Sequence, residues 1–291
     1  MDVSNLFSGY LLPVTLAVIT LGMGLSIDVK DFRNTFIYPK SMLIGLISQM
    51  ILLPVISFII SFSSNIDPVF KVGLILIAVC PGGATANLVI FMLRGNLALA
   101  VSLTIINSLI SLFSIPVLVR MGLLVFMGKD TLIHLPYFQT LLNLFIVVII
   151  PAFTGVILRY RYPKFATGLE KPLRYILPVI LIGVYFGVIV IEDSEEAAEL
   201  IDYVNVLYYT LLLNVVSMIA GFITARFSRL TTRNSFTIAV QTGLQNSTLA
   251  IFIAATLLND QMIAIVPIIY GSFSFFSTWL IGYLMKIYGK K

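Results

Sequence analysis

Cysteine, histidine and charge are all scarce in this chain, and each scarcity removes a class of function. One cysteine and one histidine in 291 residues leave no intrachain disulfide and no cysteine or histidine cluster to hold a metal. Cys80 reads as a small residue at a helix contact and His134 as a solvated loop residue. Charged residues make up 11% of the chain against 59% hydrophobic, with a mean hydropathy of +1.05; a soluble domain carries about 25% charge. All 13 acidic residues fall in predicted loops or at span ends, so the membrane interior holds no carboxylate or histidine relay for a proton pump. An intramembrane metalloprotease lacks ligands and a histidine-dependent serine protease lacks its base, although a serine and lysine pair stays open on residue types alone. The enzyme classes recede, and no cofactor is called for.

What the chain has is apolar length. Stretches of roughly 20 residues, enough to cross a bilayer, recur with brief polar interruptions and no linker or low-complexity tract. Runs such as "TLLNLFIVVIIPAFTGVIL" do not alternate in polarity, as barrel strands must. The expectation is therefore an all-α integral membrane protein forming one polytopic domain over residues 1–291. About nine spans are predicted, at roughly 8–27, 40–62, 70–93, 97–120, 137–158, 174–191, 203–225, 234–258 and 262–285. The first apolar run has no Lys or Arg before Lys30, so it lacks the basic start of a signal peptide and is expected to remain as a span.

Basic residues sort by side. Fifteen of the 18, including Lys30, Arg33, Arg94, Arg159, Arg161, Arg226, Arg229, Arg233 and Lys286, fall in loops of one parity. Lys71, Arg120 and Lys129 fall on the other side with the acidic loop "EDSEEAAELID". The positive-inside rule makes the first side cytoplasmic, with the N-terminus outside and the C-terminus inside a cell (plasma or inner) membrane. The net charge of +5 is explained by these loops, which form no basic patch with interleaved aromatics, so no nucleic-acid partner is expected. Tyr137, Tyr160, Tyr162 and Tyr283 read as interfacial anchors. The lipid bilayer is the one obligatory surroundings; no obligate protein partner is evident.

Two of the spans break themselves. The third carries "CPGGATAN" and the eighth "QTGLQNST", and residues 77–91 match 238–252 at seven of fifteen positions without a gap. Spans three and eight run in opposite directions, so the match reads as an inverted-topology repeat. A break frees backbone NH and C=O groups that hydrocarbon cannot satisfy, and it survives only where protein, water or a ligand meets them. Two such breaks crossing near the midplane make a binding site: helix N-termini suit anions and freed carbonyls suit cations. Packing kinks are the plainer alternative, but they do not account for an Asn or Gln beside each break.

The segments "GMGLSIDVKDF", "CPGGATANLVIFMLRGNLALAVSLT" and "GLQNSTLA" resemble the bile acid:sodium symporter family, including its bacterial members. The resemblance runs from about Gly22 to the last span. It implies two discontinuous crossing helices in a core domain (approximately 40–120 and 203–285) that moves against a panel domain (approximately 8–27 and 137–191). It also implies carriage of organic anions with sodium as the coupling ion. Many bacterial relatives have ten spans; this chain resembles them without the first. Substrate contacts are expected from Gly82, Gly83, Ala84, Asn87 and Asn246, and cation contacts from Gln49, Asn87, Thr104, Gln241 and Gln245. The match is incomplete: Ala86 stands where the family usually has serine, Ala100 where some bacterial members offer a hydroxyl, and Gln241 where sodium-coupled members typically have glutamate. For Thr104, Asn107 and Ser108, plain helix-to-helix hydrogen bonding remains an equal alternative.

The function expected is secondary transport of a small organic anion, a carboxylate or a bile-acid-like molecule, by alternating access. Replacing a carboxylate by an amide at position 241 removes about 4 kcal/mol of attraction for a cation at 4 Å and an effective dielectric of 20. Weaker sodium dependence than in glutamate-bearing members follows. Sodium-independent exchange of the same substrate class, or a channel or sensor on the same fold, are the alternatives.

Overall fold

The computed structural model describes residues 10, 12–25, 39–128, 137–169, 172, 176, 183 and 200–288. The described residues are helical apart from short connections, and the one extended pairing among them is an isolated antiparallel bridge. In chain order the helices are α1 (Leu12–Leu25), α2 (Pro39–Ser63, with a π turn at Ser48–Leu52), α3a (Pro68–Val79) and α3b (Ala84–Met92). Then come α4 (Leu97–Met127) and α5, built from Tyr137–Leu144, a π turn Phe145–Ile149 and Ile150–Arg161. After them follow α6 (Leu200–Phe227), α7a (Thr232–Gly243), α7b (Ser247–Leu257) and α8 (Gln261–Tyr288). Eight of the nine predicted spans thus have their helix; the sixth, 174–191, lies almost wholly outside the described residues. Among the described residues five helices, α2, α4, α5, α6 and α8, are long and apolar enough to cross a membrane. The halves of α3 and α7 each fall short alone.

The local sequence explains where each broken helix starts and stops. Asp67 caps α3a by accepting from the Val69 NH at 3.0 Å, with Pro68 at its first turn. Its end is dictated by Pro81. The residue before a proline is pushed out of the α region, and Cys80 is extended at φ −69°, ψ 145°. In α7 no proline intervenes, and the helix runs on through Gln241, Thr242 and Gly243 before Leu244 turns extended at φ −127°, ψ 99°. Asn246 then caps α7b through the Leu249 NH at 3.1 Å. The ungapped repeat alignment is therefore displaced at the break itself: it pairs Cys80 with Gln241, yet Cys80 has left the helix and Gln241 has not.

The core gathers around α3a. Its residues Val72 and Leu74–Ile77 are fully buried, as befits a helix apolar on every face, and α2, α4 and α8 enclose it. Ser57 on α2 ties to it by donating to the Leu74 carbonyl at 2.9 Å. The equally buried α7a is far more polar, and it packs along α6 and against α4 and α8. At the end of this layer the Asn96 amide donates to Asn234 Oδ1 and the Asn234 amide to Ser41 Oγ, each at 2.9 Å, which joins α4, α7a and α2. Against this body, to whose core Leu16, Leu144 and Val148 contribute, α1 crosses α5 at Gly24 and Gly155. Only glycine fits: a Cβ on Gly24 would lie 2.1 Å from the Ala152 carbonyl oxygen, and one on Gly155 2.4 Å from that of Leu21.

Candidate site at the paired helix breaks

The two breaks meet backbone to backbone. Gly82 and Gln245 form the antiparallel bridge, and the Asn246 NH donates to the Pro81 carbonyl at 2.9 Å. Opposed chain directions at the meeting point are what an inverted repeat requires. The adjacent glycines differ in their surroundings. A Cβ on Gly82 would lie 2.4 Å from Gln241 Oε1 and 3.2 Å from Gln49 Nε2, whereas one on Gly83 meets nothing nearer than Thr85 Oγ1 at 3.5 Å. Gly83 supplies no side-chain cap to α3b, which begins at Ala84.

Behind the bridge the chain assembles a cluster of side-chain amides. Gln241, wholly buried, donates from Nε2 toward Asn87 Oδ1 at 2.8 Å, the Ala100 carbonyl at 3.0 Å and Thr104 Oγ1 at 3.2 Å. The Gln241 backbone carbonyl, freed by the break, accepts from Gln49 Nε2 at 2.8 Å and from Gln245 Nε2 at 3.2 Å. Gln245 also reaches the Thr242 carbonyl at 2.9 Å. Five expected cation residues, Gln49, Asn87, Thr104, Gln241 and Gln245, are thereby brought into one connected network from α2, α3b, α4 and α7a with its following turn. Asn87, expected in both roles, turns its oxygen onto Gln241. Of the expected substrate residues, Gly82, Gly83, Ala84 and Asn246 share the break itself, and Asn246 also spends its side-chain oxygen on the α7b cap. The side-chain oxygens of Gln49, Gln241 and Gln245 are buried with no donor.

The remaining polar residues of α4 split. Ser108 donates to the Thr104 carbonyl at 2.7 Å, within its own helix, while buried Asn107 keeps an unpartnered Oδ1. Sequence reasoning missed a second cluster. The Gly243 carbonyl, last of α7a, accepts from Asn214 Nδ2 on α6 and from the Tyr270 hydroxyl on α8. Thr278 Oγ1 stands at 2.9 Å from Asn214 Nδ2, and Ser277 Oγ donates to Asn214 Oδ1 at 2.8 Å. The signal was present: an asparagine in the apolar run "LLLNVVSM" needs a partner inside a membrane.

Two discontinuous helices paired at their breaks inside an all-helical membrane body define the class, an inverted-repeat membrane transporter. The sequence model described as the Sodium Bile acid symporter family matches residues 13–196, and the chain belongs to that family. It is similar to the probable sodium/metabolite cotransporter BASS1, chloroplastic, of Arabidopsis thaliana, at 27% identity over 87% of this chain and 61% of the plant protein. It is also similar to the uncharacterized sodium-dependent transporter YocS of Bacillus subtilis, at 26% identity over 96% of this chain and 82% of the relative. The mouse ileal sodium/bile acid cotransporter is 25% identical over 98% and 82% of the two chains. This chain thus spans about three fifths of the plant relative's length and four fifths of the other two.

Proposed function

We propose that the protein is a secondary transporter that carries a small organic anion across a cell membrane by alternating access. It lies with its N-terminus outside and its C-terminus in the cytoplasm. The core consists of α2–α4 and α6–α8; the panel against which it moves consists of α1, α5 and the segment 174–191. The anion sits at the α3 break, against the first NH groups of α3b and the Asn246 amide, with Gly82 and Gly83 admitting close approach. The observation that carries this reading is the bare N-terminus of α3b, which Gly83 leaves without a side-chain cap, beside the second break. A helix N-terminus carries roughly half a positive charge, so an anion can be held without an arginine in the membrane.

Sodium is the coupling ion of this reading. The relatives are named for sodium cotransport, and the buried, donor-free oxygens of Gln49, Gln241 and Gln245 are the chemistry such an ion requires. Sodium-independent exchange is the second reading, supported by the amide nitrogen of Gln241, which already faces three oxygens.

Counterflow in proteoliposomes tests the function. Labelled carboxylates of rising size, from acetate to taurocholate, are offered to vesicles preloaded with the same unlabelled acid, with sodium or choline outside. A carrier accelerates uptake of at least one; a channel gives no acceleration. Gly83→Leu should abolish that uptake while the protein stays monodisperse in detergent, and unchanged uptake would move the anion elsewhere.

A further inference from the structure

Two helices close in the same unusual way at one end of the bundle. The chain leaves α3b with the Arg94 NH donating to the Phe91 carbonyl at 3.0 Å and the Gly95 NH to the Ile90 carbonyl at 2.8 Å. It leaves α6 with the Arg229 NH on the Arg226 carbonyl at 2.8 Å and the Leu230 NH on the Ala225 carbonyl at 3.1 Å. This paired closure needs one residue in the left-handed region, a place that glycine or asparagine usually takes. Here both places hold arginine, Arg94 at φ 59° and Arg229 at φ 56°. Membrane orientation asks only for basic residues somewhere in these turns. It does not ask for a long side chain where the backbone penalises one. The fold also joins the two turns. Arg233 on α7a donates from Nη2 to the Gly95 carbonyl at 3.0 Å, across 138 residues of sequence, and Arg226 donates from Nη1 to the Leu230 carbonyl at 3.1 Å. Arg94, Arg226, Arg229 and Arg233, all exposed, are thereby gathered on linked turns. Among the described residues the carboxylates are Asp67, Asp202 and Asp260, which stand where α3a, α6 and α8 begin, at the opposite end of the bundle. None of them offsets this charge.

We infer that these four arginines bind the headgroup phosphates of anionic phospholipids in the leaflet at this end of the bundle, which is the cytoplasmic leaflet on the orientation proposed above. A guanidinium offers phosphate oxygens a planar fork of donors. Arg226 and Arg233 already hold theirs against backbone carbonyls, so little freedom is left to lose on binding. Apolar neighbours decide what kind of anion this is. Phe91, Met92 and Phe227, beside these arginines in the chain, are 60%, 51% and 85% exposed. Such side chains belong in hydrocarbon, which sets the guanidiniums at its edge, where a lipid phosphate sits and where an anionic surface draws basic residues. A phosphate held there links the turn after α3b to the turn after α6. The site is independent of the paired breaks and of what they carry.

Melting of the purified protein in a neutral maltoside detergent tests this. Samples receive equal mole fractions of dioleoylphosphatidylglycerol or dioleoylphosphatidylcholine, or soluble glycerol phosphate alone. The anionic lipid should raise the midpoint by ~5 °C or more above the neutral one, and glycerol phosphate should leave it unchanged. The double variant Arg94→Gly with Arg229→Gly separates binding from structure. Glycine relieves both left-handed positions, so in detergent alone this protein should melt at or above the unmodified one, yet lose more than half of the increment given by the anionic lipid. A purely structural role for the arginines predicts the reverse, a lower midpoint with the increment intact. Equal stabilisation by the two lipids overturns the inference, and so does a double variant that keeps the whole increment. The same shift from glycerol phosphate alone makes the partner a soluble anion and overturns the lipid assignment. The comparison of lipids uses the unmodified protein and decides the matter whether or not the variant folds.

Discussion

Adding one methyl group at Gly82 should damage the amide cluster, while the same change one residue later should not. Gly82 is not in the left-handed region, so an alanine is allowed by its backbone and the question is one of space. The new Cβ would lie 2.4 Å from Gln241 Oε1, about 1 Å inside ordinary contact. The Gln241 head is the movable party, but retreating breaks or lengthens its three bonds to Asn87, Ala100 and Thr104. At ~0.5–1.5 kcal/mol net for each bond, the loss comes to about 2–4 kcal/mol. At Gly83 the nearest atom to a Cβ is 3.5 Å away, so alanine fits. Thermal unfolding in detergent, followed by fluorescence-detected gel filtration, should place Gly82→Ala about 5 °C or more below Gly83→Ala. If the two melt together, the close contact at Gly82 does not exist as described.

Two other perturbations read other parts of the molecule. Asn214→Leu removes the amide that joins the Gly243 carbonyl to Thr278 and leaves the Ser277 hydroxyl only the Ser274 carbonyl as acceptor; it should cost about 2–3 kcal/mol in the same melting assay, and more than Tyr270→Phe, which leaves Asn214 in place. Equal losses would show that Asn214 is no more than one of several interchangeable donors. In a Cys80→Ala background, Ser194→Cys should react with an impermeant maleimide added outside intact cells and Thr167→Cys should not; labelling of Thr167→Cys alone would invert the orientation.

The class of protein was legible from composition, because a chain with 11% charge and repeated apolar lengths has no other solvent than lipid. The breaks were legible too. Pro81 must expel Cys80 from the helix whatever surrounds it, and an Asn after the second break is a capping residue anywhere. The register of the repeat was not, since glycine, alanine and isoleucine match by apolar composition alone; only the fold shows α7a continuing past the point where α3a stops. Asn214 and Tyr270 escaped for a related reason. Their partner is a backbone carbonyl at Gly243, and which carbonyl a break frees depends on where the helix ends.

The five amide and hydroxyl side chains of the cluster were named from the sequence through its resemblance to the family, position by position. Which end of each amide faces which neighbour was decided by tertiary structure alone. The nitrogen and oxygen of a glutamine are nearly the same size and carry opposite hydrogen-bonding roles. The choice between them falls to backbone carbonyls at Ala100, Gln241 and Thr242, which reach the site from α4 and α7a and which no side-chain pattern encodes. Those carbonyls turn the Gln241 nitrogen inward to its three oxygens and leave the three amide oxygens bare.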